Sequence, residues 1–388
     1  MSVSVGVPKG STEGEHRVAV VPSILGKYEK LGAHLLVERG AGEGCSFTDA
    51  EFTGCELMDS LSELSAKADV MLSVQPPNLE EIALLHEGQI IAGYMNPHRH
   101  PEYALAMRDA GITSFAMELL PRITRAQSMD ALTSQAAVAG YKAVVMAADM
   151  VGGFFPMLTH PAGTIRPTKV LVLGAGVAGL QAIATAKRLG AIVEAYDVRR
   201  ATAEQVQSLG AKFIALELSD AEAEGGYARQ LTSEEKLKER ALLAERIGVA
   251  DVVVSTAAIP GRDAPKLIFR DMVESMKRGS LIIDLAAATG GNCELTVPGE
   301  KVVHQGVTVY GPLNVPAMLP VDASEMYARN LLNFVSLFIR DGEIQLDWED
   351  PIISGSVLTH HGTLHYELSI PADYEAALKK TLDQGGVK

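Results

Sequence analysis

The chain has 388 residues, 47% hydrophobic and 21% charged, enough for two domains with substantial cores. Its net charge of −14 argues against a nucleic-acid binder, because a phosphate backbone calls for basic patches, although a local cationic site for a dinucleotide remains open. Cys45, Cys55 and Cys293 show no CxxC spacing, which points to reduced thiols in a reducing compartment. The N-terminus has no signal-peptide pattern. The longest apolar run, Ala143 to Leu158, is too short to span a membrane and contains Asp149.

Residues 1–120 alternate between strand and helix patterns. Strands are predicted at Val3–Val7, Leu35–Glu38, Asp69–Gln75, Gln89–Met95 and Ile112–Ala116, and helices at Pro22–Leu31, Leu79–Leu85 and Glu102–Ala110. Such alternation implies a parallel sheet covered on both faces. No glycine fingerprint follows any of these strands, so this domain is not expected to be the main cofactor domain.

Residues 121–132 are a polar loop carrying Arg122, Arg125, Gln127 and Asp130. Two readings stand. The loop is a charged hinge capping the next helix, or its cation, amide and acid meet the nicotinamide end of a dinucleotide. An Ala-rich helix from Thr133 to Val151, capped by Thr133 or Ser134, links the two domains.

The second domain carries predicted strands at Val170–Leu173, Ile192–Tyr196, Phe213–Leu216, Val252–Ser255, Leu281–Leu285 and Val307–Tyr310, enough for a six-stranded doubly wound sheet. The strongest signal of the chain lies here. The apolar strand Val170–Leu173 runs into Gly174-x-Gly176-x-x-Gly179 and an apolar helix from Leu180 to Leu189. Gly174 makes the tight turn, Gly176 lets backbone approach a pyrophosphate, and Gly179 lets helix and strand pack closely. Asp197 ends the next strand, where the fingerprint places a carboxylate for the ribose hydroxyls. An acid there repels a 2′-phosphate and favours NAD(H) over NADP(H); the following Arg199-Arg200 pair is the counter-argument.

A long connection, Glu217 to about Ser233, contains Gly225-Gly226-Tyr227 and is either a lid or an exposed insertion. Asp322–Arg340 reads as an amphipathic helix returning to the first domain, and 343–388 as an irregular tail. The domain reading is 1–132 plus about 322–388 for the first α/β domain, 133–151 for the linking helix, and 152–321 for a Rossmann NAD(H)-binding domain. His98-x-His100 and His360-His361 lack a third ligand at metal spacing, so no metal is expected.

Four stretches, Pro121–Asp130, Gly174–Gly190, Gly225-Gly-Tyr-Ala228 and Gly290-Gly-Asn-Cys293, resemble the NAD(H)-binding component, domain I, of proton-translocating NAD(P) transhydrogenase. That family is related to alanine dehydrogenase, the natural competitor. Alanine dehydrogenases use a lysine, a histidine and an aspartate at places where this chain has Gln75, Tyr94 and Ala288; only their keto-acid arginine has a counterpart, Arg17. Without lysine, histidine and aspartate the amine–ketone reaction loses its proton donor and acceptor, whereas direct hydride transfer between two nicotinamides needs neither.

The resemblance implies roles residue by residue. Arg122, Gln127, Asp130 and Thr133 would meet the nicotinamide end, with Gln127 and Asp130 the catalytic candidates. Ala175, Gly176 and Val177 would line the pyrophosphate, held by the Gly174–Gly179 turn. Asp197, Val198 and Arg199 would surround the adenosine ribose. Gly226 and Tyr227 would close over the nucleotide, and Ala258 would border it. It also implies NADP(H) on a partner domain, membrane-spanning subunits that carry the protons, a homodimer, and a peripheral position on the cytoplasmic, inner face of the plasma membrane. The other readings are an alanine-dehydrogenase-like enzyme with a relocated base such as His98, and an NAD-binding regulatory module without turnover.

Overall fold

A computed structural model describes residues 2–216, 232–258 and 262–368. The chain divides into two units, one formed by residues 2–135 with 319–368, the other by the described residues of 136–318.

The first unit holds an eight-stranded sheet. Its order is Glu56–Met58, His34–Glu38, Ser4–Val7, Val70–Leu72, Ile90–Gly93, Thr113–Ala116, Val357–His360, Thr363–Leu364. The first six strands are parallel; the last two are antiparallel additions. Both faces are buried. Val70 and Leu72 join one apolar cluster, while Met71 between them joins the other, which is the near-continuous apolar pattern expected of a doubly wound sheet.

Two expectations change here. Glu56–Met58 and the helix Leu61–Lys67 lie in a stretch that sequence patterning leaves unassigned. The strand is three residues long and half exposed, so it shows no periodicity. The described tail is also more ordered than its sequence suggests. Pro351–Ser356 is a helix, and Val357–His360 pairs with Thr113–Ala116 to extend the sheet. Trp348 lies against His360 at 4.3 Å between ring centroids. The helix predicted at Asp322–Arg340 runs from Pro320 to Val335, and Ile339–Arg340 begins a short hairpin.

Among the described residues, the main sheet of the second unit has seven strands rather than six, in the order Lys212–Ile214, Ile192–Tyr196, Lys169–Leu173, Val252–Ser255, Leu281–Asp284, Val307–Tyr310, Lys301–His304. The extra edge strand, Lys301–His304, is antiparallel and joined to its neighbour through Gln305 and Gly306, at φ 48° and 87°. Those two positive angles suit a tight hairpin turn. Val170 and Val172 face one core and Leu171 and Leu173 the other. This is the Rossmann order, with helices on both faces. The strand order reverses between Lys169–Leu173 and Val252–Ser255, so the ligand crevice of such a sheet lies at their carboxyl ends. The helix Ala131–Met150 begins in the first unit and continues into the second.

Candidate dinucleotide-binding site

The strand Lys169–Leu173 ends in a turn whose shape needs glycine. Gly174 has φ 95°, and a Cβ there would lie 2.6 Å from the Thr256 hydroxyl. Gly179 sits in the first turn of the helix Val177–Arg188, where a Cβ would lie 1.8 Å from the Gly174 carbonyl oxygen. Gly176 differs: a Cβ would meet nothing within 4 Å. It caps the helix without a side chain, and no acidic residue occupies the first turn. Open space, bare backbone N–H groups and a helix N-terminus together fit a pyrophosphate. Val177 is exposed and Ala175 buried beside this opening.

Asp197 closes the adjoining side. One carboxylate oxygen accepts from the Ala175 N–H at 2.7 Å and from Arg199 Nη2 at 2.8 Å. The other accepts from the Arg199 N–H and Nε, both at 2.9 Å. The acid is only 8% exposed, while Arg199 is half-buried. Ribose hydroxyls would reach this carboxylate by sharing it with Arg199 or displacing it. Val198 is half-buried next to the pair, and Ala258 is exposed at the end of the Val252–Ser255 connection. Gly226 and Tyr227 lie outside the described residues.

Arg122, Gln127, Asp130 and Thr133 belong to the first unit. Residues Thr124–Met129 form a 3₁₀ helix that buries Ala126 and Met129 in the core and leaves Gln127 exposed. The amides of Asn330 and Asn333 fix this segment by donating to the Ser128 carbonyl at 2.9 and 3.0 Å. Arg125 pairs with Asp350. The expected cap is corrected: Asp130, not Thr133 or Ser134, caps the long helix, accepting from the Thr133 N–H at 2.9 Å and its hydroxyl at 2.6 Å. The carboxylate outcompetes a hydroxyl because it accepts from two donors at once. Arg122 and Thr133 are exposed.

Arg17, the one counterpart of the alanine-dehydrogenase set, is 5% exposed. Glu15 holds its guanidinium at 2.8 and 2.7 Å, Gln135 accepts from Nη1 at 2.8 Å, and Gln75 donates to Glu15 at 2.8 Å. Burial works to raise the Glu15 pKa, but the hydrogen bonds and charge of Arg17, with the Gln75 amide, hold it down at about 2. Burial pushes the Tyr94 phenol far above its ordinary range. Burial also pushes the Cys293 thiol up to about 11, which leaves it a poor nucleophile. His98 is hydrogen-bonded to the Tyr366 hydroxyl at 2.9 Å. Among the described residues, no group of three or more His, Cys, Asp or Glu is placed to hold a metal ion, and no helix is long and apolar enough to cross a membrane.

Sequence patterning does not reveal the partners of Gly174. The Thr256 hydroxyl donates to the Leu173 and Gly174 carbonyls at 3.2 and 3.1 Å, and Asn292 binds Ala257. The only sequence signal for Asn292 is its place after Gly290-Gly291.

Comparison with known proteins decides the family. The description "Alanine dehydrogenase/PNT, N-terminal domain" matches residues 6–139, and "Alanine dehydrogenase/PNT, C-terminal domain" matches residues 143–367. The chain belongs to the alanine dehydrogenase/PNT family. Within this family it is 43% identical to the first part of NAD(P) transhydrogenase subunit alpha of Rhodospirillum rubrum, over 93% of this chain and 97% of that one. It is 28% identical to the alanine dehydrogenase of Mycobacterium tuberculosis, over 93% and 94%. The crystal structure of transhydrogenase from Sinorhizobium meliloti superposes with TM-score 0.86 at 43% identity, covering 93% of this chain and 99% of that one. An L-alanine dehydrogenase structure, at 22% identity and TM-score 0.77 over 98% and 99%, shares the fold.

Proposed function

We propose that this chain is the NAD(H)-binding component of a proton-translocating NAD(P) transhydrogenase. The observation that carries the reading is its 43% identity, over nearly its whole length, to the first part of a transhydrogenase subunit alpha, against 28% to an alanine dehydrogenase.

The residues at the alanine-dehydrogenase positions support the same choice. Gln75 is an amide and cannot exchange a proton, Tyr94 is kept neutral by burial, and Ala288 has no polar side chain. Arg17 is committed to Glu15. The alternative, an alanine-dehydrogenase-like amino acid dehydrogenase, would need a base recruited from elsewhere.

When bound, the nicotinamide supplies or accepts the hydride. The chain's role is to bind, orient and exclude water. The turn Gly174–Gly179, with Ala175, Gly176 and Val177, holds the pyrophosphate against the helix N-terminus. Asp197, Val198 and Arg199 hold the adenosine ribose. Arg122, Gln127, Asp130 and Thr133 act at the nicotinamide end, where Gln127 orients the ring and Asp130 keeps Thr133 in place. Gly226 and Tyr227 close over the nucleotide, and Ala258 borders it. Hydride passes directly to or from NADP(H) on a partner domain, and membrane-spanning subunits couple the exchange to proton translocation. The component works as a homodimer, peripheral on the cytoplasmic face of the plasma membrane.

The test mixes the chain with the NADP(H)-binding and membrane partners and follows NADH-dependent reduction of an NADP analogue. Transfer that needs both sides supports the reading. Pyruvate- and ammonia-dependent NADH oxidation by the chain alone, without transfer, would replace it with the alternative. Tight NADH binding with neither activity would leave a regulatory module.

A further inference from the structure

A sheet whose strand order reverses between Lys169–Leu173 and Val252–Ser255 takes its ligand at their carboxyl ends, where two segments meet. The glycine turn is one. The other is the short segment Thr256–Ala258, which follows Val252–Ser255. Its two alanines have no side chain with which to anchor themselves, so their position is set by what binds their backbone.

Asn292 does that. The Ala257 N–H donates to Asn292 Oδ1 at 3.1 Å. Asn292 Nδ2 donates to the Ala257 carbonyl and the Pro265 carbonyl, both at 2.8 Å. The partners fix the amide's orientation, since an N–H can meet only its oxygen and two carbonyls only its nitrogen. The side chain is fully buried, and the Asn292 carbonyl accepts from Leu267 and Ile268.

Asn292 is itself held from below. Asp284, fully buried at the end of Leu281–Asp284, accepts from the Cys293 N–H at 3.0 Å, Thr296 Oγ1 at 2.6 Å, Ser255 Oγ at 3.0 Å and the Ala286 N–H at 3.1 Å. Gly290 and Gly291 turn the chain with φ 91° and 79°. A Cβ on Gly291 would come within 2.7 Å of the Asp284 carboxylate. The order of support runs from Asp284 to the 290–293 loop, to Asn292, to Ala257, and through Thr256 to the Gly174 carbonyl.

We propose that Asn292 is a positioning residue for the bound dinucleotide: it fixes the Thr256–Ala258 segment beside the glycine turn and thereby holds the backbone that borders the ligand. This rests on the NAD(H) reading above and adds a residue to it. Asn292 need not touch the ligand. Its effect is to hold that segment before ligand arrives, so that binding does not have to order it.

The test uses the full chain with Asn292→Ala and the isosteric Asn292→Asp, which keeps the acceptor for Ala257 but loses both donations. Thr168→Val is the control. It removes a buried hydroxyl bond, Thr168 Oγ1 to the Phe154 carbonyl at 2.8 Å, at the opposite end of the sheet. Three quantities are read: NADH Kd by fluorescence titration, hydrogen exchange of the Ala257 amide without ligand, and Tm. Asn292→Ala is expected to raise the Kd about tenfold or more and to speed Ala257 exchange, with Asn292→Asp at least as impaired, because its second oxygen is left facing two carbonyl oxygens. Thr168→Val is expected to lower Tm without moving the Kd. An NADH Kd within about twofold of wild type in both Asn292 variants overturns the proposal, as does an equal Kd rise in Thr168→Val at equal loss of Tm. A wild-type chain with no affinity for NADH overturns the NAD(H) reading as well, so the two failures are distinct.

Discussion

Arg199 donates from its side chain to both oxygens of the Asp197 carboxylate, at 2.9 and 2.8 Å, beside the turn that would hold the pyrophosphate. The acid proposed to select for a free ribose hydroxyl is therefore partly neutralised by its own neighbour. Under that proposal, discrimination against a 2′-phosphate would still rest on the carboxylate, because the Ala175 N–H binds it as well and keeps it facing the turn. Asp197→Asn is expected to weaken NADH binding and to cut the preference for NADH over NADPH by about tenfold, since the charge is lost while the hydrogen-bonding shape is kept. Parallel fluorescence titrations with the two nucleotides measure it; an unchanged ratio would remove Asp197 from cofactor choice.

Gly179 and Gly174 make the tightest backbone contact of the site. With 1.8 Å between a Cβ at Gly179 and the Gly174 carbonyl oxygen, neither backbone can yield without moving the helix off the strand. Gly179→Ala is expected to cost on the order of 3 kcal/mol or more of stability and to abolish measurable NADH binding. Thermal denaturation and titration decide this; a variant that melts and binds like wild type would refute the close packing.

Glu15 gives a pH signature. Its pKa is about 2 in the folded chain against an ordinary 4.5. A depressed carboxylate contributes stability that is fully present above its unfolded pKa and is lost as pH falls through the folded one. The contribution, roughly 3 kcal/mol at neutral pH from the size of the shift, is therefore lost between about pH 4.5 and 2. Glu15→Gln is expected to be less stable than wild type at pH 7, with the difference narrowing across that window. Urea unfolding at a series of pH values would follow it, and a gap independent of pH would mean that Glu15 is not charged in the folded chain.

Gln127 is exposed on a segment whose neighbours Ala126 and Met129 are buried. Shortening it by one methylene leaves the 3₁₀ helix intact and draws the amide back by about 1.5 Å. Gln127→Asn is expected to slow hydride transfer about tenfold or more with little change in NADH Kd, because orientation is lost and not anchoring. An unchanged rate would exclude Gln127 from the mechanism.

The main strands of both sheets were legible because strands buried on both faces show as apolar runs, as in Val170–Leu173 and Val252–Ser255. Lys301–His304 and Glu56–Met58 were not, since short half-exposed strands carry too few apolar residues to register. The glycine turn was legible as a motif, but its supports were not. Asn292 and Ala257, or Asp284 and Thr296, meet only once the sheet has brought distant loops together. Likewise, residue type pointed to Thr133 or Ser134 as the cap of the long helix, whereas the Asp130 carboxylate takes that place through two simultaneous bonds to Thr133.

The proposed reaction is direct hydride transfer from a nucleotide on this chain to one on a partner. The most direct measurement supplies NADH deuterated at the transferring C4 position to the chain mixed with its NADP(H)-binding partner, and locates the label. Deuterium is expected in the reduced NADP analogue and none in water, with transfer lost when either protein is omitted. Label released to water, or recovered in alanine formed from pyruvate and ammonia by this chain alone, would contradict it.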